Sequence, residues 1–217
     1  FHGKAPNASD VLVDDVGRVW VATATEGLKI FDPRSGAWEE FRHRSSYPQT
    51  LTSDRIGVIY RDIAGNFWFG TRNGVSKLAR WRKQFWAIPH DTDDPNSPPK
   101  VPIRSITEDR TGHLWIASWG DGVRVWNRRS GSFNVIDGIG SYVNVVHASK
   151  SGWIWIGTEN PDCVTAINPA TGQRRSFRHE ERDSLSIPSG SVRCLFEDTD
   201  GSIWVGTTSF GIGRIDA

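Results

Sequence analysis

The stretch Val192-Arg-Cys-Leu-Phe-Glu-Asp198-Thr-Asp-Gly201-Ser-Ile-Trp204-Val-Gly-Thr207 decides the fold, because its second half recurs along the chain. The other copies are Gly17-Arg-Val-Trp20-Val-Ala-Thr23, Gly65-Asn-Phe-Trp68-Phe-Gly-Thr71, Gly112-His-Leu-Trp115-Ile-Ala-Ser118 and Gly152-Trp-Ile-Trp155-Ile-Gly-Thr158. The shared tryptophans are spaced by 48, 47, 40 and 49 residues. Periods of this size mark repeat architectures, and four short strands per repeat fit a propeller blade.

Working outward from each phrase, the apolar period is two and not 3.6. Ile56 and Ile59, Ile103 and Ile106, Val143 and Val146, and Val192 and Leu195 precede their tryptophans at constant offsets and read as first strands. An acidic turn follows at Asp14, Asp62, Asp109 and Asp198, with Ser149 in the fourth copy, and then the glycine of the phrase. An Asp side chain caps such a hairpin while Gly takes a positive φ. Third strands run through Leu28 to Phe31, Val75 to Leu78, Val123 to Trp126, Val164 to Ile167 and Gly213 to Ile215. Outer strands carry Trp38 and Phe41, Phe85 and Ile88, Phe133 and Ile136, or Phe177. No helical stripe occurs. The reading is one all-β propeller domain or segment over residues 1–217, with blades at about 7–44, 54–90, 101–137, 141–178 and 190–217 and residues 1–4 as the end of an outer strand.

A residue that recurs in every repeat is expected to fill the space between adjacent twisted sheets, so Trp20, Trp68, Trp115, Trp155 and Trp204 read as structural. Trp119 differs. It falls after a second strand, where the other copies have Ala24, Arg72, Glu159 and Thr208, and it is a recognition candidate.

Composition narrows the function. With 26 Lys plus Arg against 25 Asp plus Glu, the chain has no basic excess to attract a nucleic-acid backbone. No apolar run approaches the roughly 20 residues of a membrane span, so direct membrane insertion of this segment is not expected. Cys163 and Cys194 lie in neighbouring blades, which leaves open both a bridge and two separate thiols, and excludes a disulfide scaffold or a CxxC zinc site. The six histidines lack metal-ligand spacing, and His2, His43, His90 and His179 recur at one repeat position. No phosphate-binding glycine loop and no Gly-x-Ser-x-Gly occurs, so neither cofactor nor metal is expected. Eleven Trp beside zero Met, and Phe1 at the start, suggest an excised or processed piece.

His179-Glu-Glu-Arg-Asp-Ser-Leu-Ser186, with partial copies at His43 to Ser53 and His90 to Ser97, together with the stretch Val192 to Thr207, resembles the two-component regulator propeller repeat. The fourth copy departs from it at Ser149 and at Glu159-Asn-Pro-Asp162. The resemblance implies the periplasmic sensor region of a bacterial hybrid histidine kinase or diguanylate-cyclase protein, with output chemistry elsewhere. It also implies rings of about seven blades, so five copies suit part of a larger array; a self-closed five-blade ring is the alternative, since open terminal blades expose unpaired strand edges.

In propeller topology the first strands enter the channel at the face that carries the loops between second and third strands. Eleven residues before each repeat Trp stand Ser9, Gly57, Arg104, Asn144 and Arg193, with Arg55 and Tyr142 two residues further back. Arg55, Arg104, Trp119, Tyr142, Asn144 and Arg193 therefore make a candidate rim for an anionic or polyhydroxylated ligand, a small molecule or an oligosaccharide. The competing reading pairs these arginines with loop acids such as Glu26, Asp121 or Asp162. Two other classes stay open: a propeller lyase, with His147 and Glu108 as the first-strand groups of suitable type, and a protein-interaction or homodimer platform through segment 90–100.

Overall fold

Period-two alternation around a tryptophan in the second strand of each repeat produces only β structure among the described residues. The computed structural model describes residues 7–47, 49–80, 84–160 and 163–216. The reading of residues 1–4 as an outer strand, and the acid Asp162, lie outside the described residues. The chain forms two compact units, Phe1–Ile103 and Arg104–Ala217.

The first unit holds two four-stranded antiparallel sheets in sequential order. One contains β1 (Ala8–Val13), β2 (Val19–Thr23), β3 (Leu28–Asp32) and β4 (Ala37–Phe41); the other contains β5 (Ile56–Arg61), β6 (Phe67–Thr71), β7 (Gly74–Leu78) and β8 (Phe85–Ile88). Their shared core sets Trp20, Ala22, Leu28 and Ile30 against Ile56, Ile59, Phe67 and Phe69. Trp20 stacks on Phe67 with ring centroids 4.1 Å apart and planes 13° from parallel, a contact worth about 1 kcal/mol beyond its buried area.

Three sheets make up the second unit. They are β9 (Ile103–Glu108) to β12 (Phe133–Val135) with β10 (Leu114–Ser118) and β11 (Gly122–Trp126) between; β13 (Tyr142–Ala148), β14 (Ile154–Asn160), β15 (Cys163–Ile167) and β16 (Arg174–Arg178); and β17 (Val192–Glu197), β18 (Ile203–Thr207) and β19 (Ile212–Ile215). The third to fifth sheets share two cores, one joining Trp115 to Val143 and Val146, the next joining Trp155 to Val192, Ile203 and Val205. The five sheets are propeller blades, all antiparallel and all β. The unit boundary falls inside β9.

The glycine of Trp-x-Gly-Thr has a packing cause. A Cβ on Gly70 would lie 2.5 Å from Ile103 Cγ2, and one on Gly157 would lie 2.7 Å from Val145 Cγ1 and overlap Val192. The first strand of the following sheet presses a branched residue onto this position, and Ala22 and Ala117, both buried, are the small residues of the first and third copies.

The acidic turn does more than cap. Asp14, Asp62, Asp109 and Asp198 each accept a hydrogen bond from the indole Nε1 of the repeat tryptophan six residues on, at 3.0, 3.0, 2.9 and 2.9 Å. The other carboxylate oxygen of Asp109 accepts from the Thr111 and His113 backbone N–H groups, while Gly112 takes φ +83°. Burial by itself would raise the pKa of Asp109, but the bonds from Thr111, Trp115 and His113 outweigh it and the carboxyl is held below its ordinary value. In the fourth blade Ser149 turns to Ser151 and to the backbone of Trp153, and Trp155 Nε1 is buried without a hydrogen-bond partner among the described residues.

Four of the five repeat tryptophans are buried as the repeat predicts. Trp204 differs, being 37% exposed. The fifth sheet meets the fourth through β17, which leaves the opposite face, with Phe196 beside Trp204 across the ladder, in solvent.

The recurring histidines are loop clasps. His43, His90 and His179 place Nδ1 at 2.6, 2.9 and 3.0 Å from the carbonyl oxygen eight residues later, on Leu51, Pro98 and Ile187. In each case the next backbone N–H donates to a hydroxyl, that of Thr50, Ser97 or Ser186. Segment 90–100 is thus closed on itself, with Ser97, Pro98 and Pro99 buried.

Candidate ligand-binding rim

The second unit gathers most of the predicted rim. Past the end of β10 the chain must turn tightly, and Gly120 and Gly122 supply φ values of +128° and +75°. Both donate their N–H to the Ser141 carbonyl at 2.9 Å, and Trp119 makes a lone β-bridge to Tyr142. The loop is therefore pinned by backbone bonds to the start of β13, and the Trp119 side chain is positioned before any ligand arrives.

Around that indole, the Tyr142 ring stands edge-on at 5.3 Å and the Arg104 guanidinium lies 5.6 Å from the ring centre. Trp119 and Tyr142 are 38% and 43% exposed, so one aromatic pair with a cation beside it faces solvent. Trp119 Nε1 donates to Glu159 Oε2 at 3.0 Å. Glu159 reaches it because β14 runs two residues longer than β10 or β18, each of five.

Arg193 continues the cluster. Its Nη1 donates to Asn144 Oδ1 at 3.2 Å and lies 4.0 Å from Glu159 Oε2, and its Nε donates to Thr208 Oγ1 at 3.1 Å. Asn144 is buried and fixed by its own amide, which donates to the Val192 carbonyl at 3.1 Å. Trp119, Glu159 and Thr208 occupy the same repeat position in three successive blades. The cluster holds two guanidinium groups against one carboxylate, and among the described residues Arg104 has no acidic partner.

Of the six predicted residues, Arg104, Trp119, Tyr142, Asn144 and Arg193 come together here. Arg55 belongs to the first unit, exposed, with its carbonyl accepting from Arg72 N–H at 3.1 Å. The loop acids expected as competitors have other partners: Glu26 holds Lys29 and Asp121 holds Arg124, each at 2.6 Å. Sequence reasoning passed over Glu159, although it stands at the repeat position that singled out Trp119.

The lyase candidates are each engaged separately. His147 Nε2 lies 3.7 Å from Glu197 Oε2, and burial lowers the imidazole pKa against the opposing pull of that carboxylate. Glu108 accepts a bond from Arg128 Nη2 at 3.0 Å. Cys163 and Cys194 are free thiols, the first buried and the second exposed. Among the described residues no group of three His, Cys, Asp or Glu is placed to hold a metal, and no helix is long and apolar enough to cross a membrane.

The strand order and the loops of each sheet define β-propeller blades. Residues 50–73, 97–120 and 186–209 match the family model of the two component regulator propeller, so three of the five copies are repeats of that type. No curated protein matches the chain in sequence. Among solved structures, the extracellular domain described as a one component system from B. thetaiotaomicron is 24% identical with a TM-score of 0.79, over 99% of this chain and 30% of that one. A second, described as a hybrid two component system from B. thetaiotaomicron, is 21% identical with a TM-score of 0.77, over 94% and 27%. Virginiamycin B lyase from Staphylococcus aureus is 15% identical with a TM-score of 0.68, over 95% and 68%. The chain spans about a third of the length of the extracellular domains. At these identities the likeness is one of fold.

Proposed function

We propose that this chain is a ligand-sensing, extracytoplasmic propeller region of a bacterial signal-transduction receptor, lying in the periplasm and recognising a small molecule or oligosaccharide at the rim built by Arg104, Trp119, Tyr142, Asn144 and Arg193. The observation that carries the reading is the preorganised aromatic pair. Trp119 and Tyr142 are large, exposed and held by backbone bonds, and arginine side chains beside them offer paired donors to oxygen-rich ligands. The repeat type and the fold of the extracellular sensor domains support the receptor context. In such a receptor, signalling follows from a ligand's different affinity for two arrangements of the propeller and its neighbouring module.

Thermal-shift titration with a panel of neutral and uronate-bearing oligosaccharides tests this. Members that raise the melting temperature of the wild type are expected to lose that effect in Trp119→Ala and in the Arg104→Ala, Arg193→Ala double variant. Equal stabilisation of wild type and variants refutes the rim as the binding site.

A further inference from the structure

Glu159 lies between Trp119 and Arg193 within the rim. It satisfies the one polar atom of the Trp119 platform at 3.0 Å and faces Arg193 at 4.0 Å, beyond hydrogen-bond distance. Its side chain is one-third exposed. Arg193 is meanwhile steadied by two neutral oxygens, those of Asn144 and Thr208, and does not depend on Glu159 for its position. The cluster keeps an excess positive charge, with Arg104 lying beside the indole without an acid of its own among the described residues.

Resting on the rim as the binding site, we propose that Glu159 is an internal stand-in for the ligand, and that the ligand is a carboxylate-bearing molecule whose carboxylate displaces it from Trp119 Nε1 and Arg193. Exposed pairs of this kind hold weakly, whereas a ligand carboxylate free to orient can meet the guanidinium with two parallel bonds. Displacement involves no covalent step: the indole N–H exchanges one carboxylate acceptor for another, and Glu159 turns out to water. An internal competitor lowers the apparent affinity by the fraction of time it occupies the site.

The experiment follows the indole N–H cross-peak of Trp119 in a 15N-labelled chain, identified by its disappearance in Trp119→Phe, during titration with acetate. Sodium chloride at equal ionic strength and glucose serve as controls. Acetate is expected to move the peak saturably in the wild type, and to do so at about two- to fivefold lower concentration in Glu159→Ala. Glu159→Gln, which keeps an acceptor for the indole and loses the charge, falls between. Adding Arg193→Ala to Glu159→Ala is expected to abolish the response. The proposal is overturned if Glu159→Ala and wild type saturate alike, or if sodium chloride reproduces the shift. An uncharged oligosaccharide that moves the Trp119 peak where acetate moves it in neither protein overturns the carboxylate assignment and leaves the rim standing; no response to either class removes both.

Discussion

Replacing Asp109 by Asn isolates the bond that links turn to core in four of the five blades. The amide oxygen of Asn can still accept from Thr111 N–H, the Thr111 hydroxyl and His113 N–H, which stand at 2.8, 2.6 and 3.0 Å from one carboxylate oxygen. The other oxygen, 2.9 Å from Trp115 Nε1, becomes an NH2 group, and two donors then face each other. Both residues are buried, so water cannot relieve the mismatch. Losing a bond to a charged acceptor and stranding a buried donor costs about 2–3 kcal/mol, or roughly 5–10 °C at about 2–4 °C per kcal/mol for a chain of this size. Thermal unfolding by circular dichroism from neutral pH downward supplies the assay. Because the folded carboxyl titrates below its unfolded value of about 3.9, its stabilisation is complete above that pH and is lost as pH falls through the folded value. The gap between wild type and Asp109→Asn should therefore hold steady down to about pH 4 and close below it. A variant that melts with the wild type at neutral pH, or a gap that widens with acid, refutes the reasoning.

Restoring the missing carboxylate with Ser149→Asp should stabilise the fourth blade by about 1 kcal/mol and shift the Trp155 indole N–H resonance, the gain being reduced by the neighbouring Glu197 that binds Lys150 N–H; an unchanged indole resonance counts against it. Asp198→Asn should lower the melting temperature much less than Asp109→Asn, since Trp204 and its acceptor already contact water. Gly157→Ala forces a Cβ onto Val192 and Val145 and should cost about 1–3 kcal/mol in chemical denaturation. His179→Ala should raise hydrogen exchange across residues 180–187 while β16 and β17 stay protected, because the clasp is local.

What the sequence revealed depended on how regularly it repeats. Five copies of a Trp-centred phrase were enough to place four strands in most blades, since a period-two pattern bounded by Asp and Gly turns has one structural solution. The link between Asp109 and Trp115 was visible only as a constant spacing; the loss of the acid at Ser149 and the orphaned Trp155 nitrogen show what that spacing means. Glu159 escaped notice because an acidic residue near a strand end is ordinary, and only its reach to Trp119 and Arg193 in the two neighbouring blades makes it part of the rim. Arg55 lies in the first unit, while the other five predicted residues lie in the second. The exposure of Trp204 depends on which face of its sheet is covered, and nothing in its own repeat encodes that.

Trp119, Glu159 and Thr208 share one backbone address in three consecutive copies, at or just past the end of a strand whose interior is set by other positions. The bonds that hold the loops at that address are largely made by the backbone, as in the Trp119–Tyr142 bridge and the Thr208 N–H donated to the Ser191 carbonyl. A lineage can swap an indole, a carboxylate or a hydroxyl there, one copy at a time, and retune what the surface attracts while every sheet beneath it stays intact.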